Sequence, residues 1–168
     1  MSLRLGMVLS NNCTENILKL LKTEFHLEFI RIQNITFLKQ LSDNEMLIEA
    51  TGLYDDSETD IGSFDLYNKD ISEIKERYKN DPYAYHVVIE EYLERRNAYR
   101  KDALKWLDII KLMKRKYCIS KVGLFYFDGY DTTPKVSFPI YFRRYYNLNE
   151  IDEFDLMKII DHEIAFFE

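Results

Sequence analysis

A helical hydrophobic pattern that begins at Tyr83 and continues for more than thirty residues constrains this chain more than any other feature. Tyr99, Ala103, Trp106, Ile110, Met113 and Tyr117 follow alternating spacings of four and three, so they share one side of a helix and form a continuous packing seam. Asn97, Lys101, Lys105, Asp108, Lys111 and Arg115 fall on the opposite side. An unbroken helix of this length is unusual in a compact domain, so a kink or short turn at Asn97-Ala98 is expected. The alternatives are a single long central helix or a helix pair.

The segments on either side read as strands and shorter helices. Leu3 to Leu9 is a short apolar run, followed by a polar turn and a helix with Ile17, Leu18, Leu20, Leu21 and Phe25 on its apolar side, for which Thr14 is the expected N-cap. Glu28 to Gln33 alternates as a strand, Ile35 to Leu41 reads as one or two helical turns, and Glu45 to Tyr54 reads as another strand. This βαβ(α)β order fits a parallel, doubly wound start, whose helix crosses over the sheet, and equally a mixed sheet. Tyr54 to Asp70 is an aperiodic acidic loop, and Asn80-Asp81-Pro82 ends one helix and opens the next, because proline suits a first helical turn.

After the long helix, Val122 to Phe127 and Val136 to Tyr146 read as a hairpin, with Pro139 placing the second strand at an edge or bulge. A final helix from Asp152 or Glu153 would carry Phe154, Leu156, Met157, Ile159, Ile160, Ile164 and Phe167 on its apolar side. The expected class is therefore α+β, or α/β at the N-terminus. The architecture is a mixed sheet of about five strands against the long helix and a C-terminal helix. At 168 residues with 46% apolar content, one domain spanning 1–168 can bury its own core.

Charge and cysteine use narrow the function classes. The net charge is −6, yet ten basic residues between Arg95 and Lys121 outnumber Asp102 and Asp108 by eight. Such a stripe is a solvated helix face or an anion footprint. Cys13 and Cys118 have neither metal-ligand nor redox spacing, which argues against a disulfide framework or a zinc site and for a cytoplasmic setting. No stretch approaches the length of a membrane span. The abundance of Lys, Ile, Asn and Tyr fits an AT-rich bacterial or phage genome.

No motif identifies a reaction, a cofactor or a nucleic-acid code. Asp56, Glu58 and Asp60 alternate like calcium-loop ligands, but the glycine is one place late and Tyr67 stands where the bidentate acid belongs. His86 and Glu90 share a helical face at i and i+4, and His162 follows Asp161, which makes these four the catalytic candidates. Asn12, Cys13 and Thr14 lie where a strand-to-helix turn would bind an anion. Tyr141, Arg143 and Tyr145 alternate onto one strand face and, with Lys101, Lys105, Lys111 and Arg115, are the candidate interaction residues. The expected function is a noncatalytic protein-interaction module of the inhibitor or immunity type, with a protein partner, no cofactor, no membrane and no dedicated metal. The alternatives are a metal-assisted phosphodiester hydrolase using carboxylates and histidine, and nucleic-acid binding through the 95–121 stripe.

Overall fold

The computed structural model describes residues 3–32, 39–52, 71–128, 141–159 and 163–168. In chain order the elements are β1 (Leu3–Ser10), α1 (Glu15–Phe25), β2 (Leu27–Arg31), β3 (Glu45–Gly52), α2 (Ile71–Arg77), α3 (Pro82–Arg115), β4 (Val122–Asp128), β5 (Phe142–Tyr146), α4 (Glu153–Met157) and β6 (Glu163–Phe167). Among the described residues, six strands form one mixed sheet in the order β2-β3-β1-β4-β6-β5. The class is α+β, with one strand more than the sequence suggests. Among the described residues no helix is long and apolar enough to cross a membrane.

The N-terminal unit is not doubly wound. Strand β3 pairs antiparallel with both β1 and β2, so β1 and β2 run parallel to each other with β3 inserted between them. Helix α1 supplies the crossover that the parallel pair β1 and β2 requires, and β3 returns antiparallel between them.

Three further expectations are corrected. Strands β4 and β5 are not a hairpin, because β6 lies between them, antiparallel to β4 and parallel to β5. The final helix stops at Met157, and residues 163–167 form a strand whose five residues are all buried. A strand buried on both faces loses its alternation and reads like a buried helix segment. Helix α3 is one element of 34 residues, without a break at Asn97-Ala98.

Alternation along the strands divides the core in two. Leu5, Met7, Leu9, Ile48, Val122, Leu124, Ala165 and Phe167 face the helices, where they meet Leu18, Leu21, Ala103, Trp106, Ile110 and Met113. Val8, Leu47, Phe125, Ile164 and Phe166 form a second cluster on the other face. There Gly6 lies opposite Phe125 in the ladder, and a Cβ on Gly6 would fall 2.3 Å from the Phe125 ring. Gly123 stands in the same relation to Phe166, at 2.9 Å. Each ring lies across a glycine of the neighbouring strand and covers its bare backbone.

The ends of α3 are well specified. Asp81 accepts a hydrogen bond from the Ala84 N–H at 3.0 Å, with Pro82 in the first turn. At the other end Cys118 adopts the left-handed conformation, φ 52°, Ile119 N–H donates to the Met113 carbonyl at 3.0 Å, and Lys114 Nζ caps Ser120 O at 2.9 Å. These 34 residues extend about 51 Å at 1.5 Å per residue. The sheet, with strands about 4.8 Å apart, is roughly 24 Å from edge to edge. Burial within α3 is confined to Ala103, Trp106, Leu107, Ile109, Ile110 and Met113. The N-terminal half therefore projects past the core.

Candidate interaction surface

On the sheet face away from α3, Glu45 organises a polar cluster. Its side chain is fully shielded from solvent, and Arg143 grips both oxygens, Nη1 to Oε1 and Nη2 to Oε2, each at 2.8 Å. Lys121 Nζ donates to Oε1 at 3.0 Å and Ser42 N–H to Oε2 at 2.9 Å. The Arg143 hydrogen bonds, opposed by burial and reinforced by Ser42 and Lys121, lower the Glu45 carboxyl from 4.5 to about 2. Strands β3 and β5 are four positions apart in the sheet, so this ion pair joins strands that share no ladder.

The alternation read for β5 holds. Tyr141, Arg143 and Tyr145 share this face, and packing engages all three. Tyr141 meets Phe125 edge-on with ring centres 5.3 Å apart, Arg143 lies over Phe166 at 5.2 Å, and Tyr145 stacks on Phe166 at 5.4 Å. Arg143 also donates to Gln40 O at 3.0 Å. Tyr145 keeps 56% of its surface in solvent. On the opposite face, buried Glu163 accepts from Tyr146 Oη at 2.7 Å and lies 3.5 Å from Arg144 Nη1. Burial is the first cause raising the Tyr146 hydroxyl above its ordinary range.

The turn after β1 is tied into the fold. Thr14 caps α1 through Ile17 N–H at 3.4 Å, as its position predicts. Asn12 Nδ2 donates to Cys118 O at 2.8 Å, and Asn12 Oδ1 accepts from Ser120 N–H at 3.3 Å. This side chain staples the β1–α1 turn to the α3–β4 turn. Cys13 is buried, and desolvation first, then Glu15, pushes its thiol up to about 11.

Most of the basic stripe on α3 is engaged locally. Arg100 Nε meets Glu153 Oε1 at 2.9 Å, and the Glu153 backbone N–H, followed by Arg100 and Lys111, holds that carboxyl below its ordinary range. Lys105 lies 3.4 Å from Asp102 and 5.6 Å from the centre of the Trp106 ring. Arg115 Nη2 donates to Asn149 Oδ1 at 3.0 Å. Lys101 is exposed and makes no ion pair among the described residues.

The projecting half of α3 is open along its outer side. Residues 82–102 include none that is buried. Helix α2 covers one side, with Ile74 buried and a cavity of about 40 Å³ between Ile74, Tyr78 and Val88. Away from α2, spacings of four and three place Tyr83, Val87, Glu90, Glu94, Asn97, Lys101, Leu104 and Asp108 on one stripe, and all eight are exposed. Tyr83 is 79% exposed, and Val87 and Leu104 are each 38% exposed. Glu90 lies 3.3 Å from His86 Nε2 in an exposed i, i+4 pair, so these two catalytic candidates stand on an open helix surface. Tyr83, Val87 and Leu104 were not singled out from the sequence, because charged residues between them make the stripe read as a solvated face. Its spacing was the available signal.

Asp56, Glu58, Asp60, Asp161 and His162 lie outside the described residues. No three His, Cys, Asp or Glu side chains among the described residues are grouped as a metal site. Comparison with protein-family models, curated proteins and solved structures finds no match.

Proposed function

We propose that the chain is a noncatalytic interaction module that engages another protein through the outer face of α3. The observation that carries this reading is the exposed stripe from Tyr83 to Asp108, on a helix about twice as long as its sheet is wide. Tyr83 and Val87 at one end of the stripe and Leu104 near the other are exposed apolar groups with charged residues between them, an arrangement found at protein contacts.

The other two readings draw less support. A polyanion footprint would use the basic stripe, yet Arg100, Lys105, Lys114 and Arg115 already have partners within the chain. A hydrolase would use Asp56, Glu58, Asp60, Asp161 and His162, which lie outside the described residues; of the described buried acids, Glu45 is held by Arg143 and Lys121, and Glu163 by Tyr146 through Oε1.

Photo-crosslinking in the native cell tests the proposal. A benzophenone amino acid at Val87 or at Leu104 should give protein adducts, whereas the same group at Lys19 on α1 should not. Equal labelling at the three positions, or none, would overturn the reading.

A further inference from the structure

The partner that best fits this stripe is the stripe itself. We propose that a second copy of the chain docks antiparallel along α3, a step that rests on the interaction reading above. When two copies are aligned about a point midway between Arg95 and Arg96, Tyr83 meets Asp108, Val87 meets Leu104, Glu90 meets Lys101 and Glu94 meets Asn97. Each pair is chemically complementary: a phenol with a carboxylate, two aliphatic side chains, a salt bridge, and an acid with an amide. A twofold axis repeats every pair, and the overlap from Tyr83 to Asp108 is about 38 Å long.

Competing alignments lose this match. A parallel pair sets Glu90 against Glu90 and Lys101 against Lys101. An antiparallel pair slipped by seven residues sets Glu90 against Glu94 in one direction and against Asp108 in the other. Like charges facing each other disfavour all three arrangements. Among the described residues of the free chain, Glu90 is engaged only by the exposed i, i+4 contact with His86. All eight positions are exposed, and Glu94, Asn97, Lys101 and Asp108 make no side-chain hydrogen bond or ion pair among the described residues. Helices α2 and α4 meet α3 at Val88 and at Arg100, neither of which is on this stripe.

Sedimentation equilibrium of the full chain at low ionic strength tests the pairing through a charge swap at exposed positions. Wild type should dimerise. Glu90→Lys and Lys101→Glu should each weaken self-association by roughly tenfold or more. An equimolar mixture of those two variants should form a heterodimer, and the double variant should regain the wild-type dimer. A monomeric wild type at the highest soluble concentration, or a dimer indifferent to either single change, would overturn the proposal. Adducts to an unrelated protein at Val87 and Leu104, together with a monomeric wild type, would overturn self-pairing and leave the interaction reading standing.

Discussion

Glu45→Gln removes one charge from the buried cluster and preserves its shape, so its effect on stability can be calculated as a function of pH. At 1.36 kcal/mol per pH unit, lowering the Glu45 carboxyl from 4.5 to about 2 corresponds to about 3 kcal/mol. The folded value lies below the unfolded one, so the folded state favours the ionised form. The stabilisation is complete above pH 5 and is lost as the pH falls through 4.5 toward 2. Wild type should therefore exceed Glu45→Gln by about 3 kcal/mol at pH 7, and by less than about 1 kcal/mol at pH 2.5. Urea unfolding can be followed by the fluorescence of Trp106, the sole tryptophan, which is 2% exposed. Taking the difference between the two proteins cancels the other carboxylates. A gap that stays constant from pH 7 to pH 2.5, or one near zero at pH 7, would refute the assignment of the lowered carboxyl to Arg143, Ser42 and Lys121.

Three further outcomes follow from the described contacts. Asn12→Ala cuts the staple between two turns, leaving Cys118 O and Ser120 N–H without their partner, and should lower stability by about 2 kcal/mol in urea unfolding. Gly6→Ala drives a methyl group into the Phe125 ring, which is 1% exposed. It should destabilise by about 2 kcal/mol or more, and adding Phe125→Leu should restore part of the loss. Buried Cys13, raised to about 11, should resist a thiol reagent at pH 8 in the native protein, whereas exposed Cys118 reacts; equal rates would contradict the burial.

Legibility in the sequence tracked solvent exposure. The inner seam of α3, the Thr14 cap, the Asp81-Pro82 start and the face shared by Tyr141, Arg143 and Tyr145 were all readable, because each depends on local spacing beside solvent. Strand β6 was not readable, since Glu163, Ile164, Ala165, Phe166 and Phe167 are buried on both faces and carry no period. Pairing order was equally hidden. That β6 separates β4 from β5 depends on contacts 21 to 45 residues apart, which no local pattern encodes. Glu45 appeared only as the first residue of a strand, and its partners Lys121 and Arg143 are 76 and 98 residues away. The continuity of α3 was not legible either, because the helix lengths usual in compact domains do not apply where only residues from Ala103 onward are buried.

The two ring-covered glycines answer a question that alternation leaves open. A strand that slips by one residue exposes its core face, but a slip by two keeps every apolar side chain on its own side. Hydrophobic pattern alone therefore cannot distinguish the native alignment of β1 with β4 from its neighbours two residues away. Sliding β4 by two would carry Phe125 from Gly6 onto Arg4 or Val8, and sliding β6 likewise would carry Phe166 from Gly123 onto Lys121 or Phe125. Each of those residues, unlike glycine, carries a Cβ. Gly6 and Gly123 thus act as index marks, and the two phenyl rings read them, so the central strands settle into a single alignment.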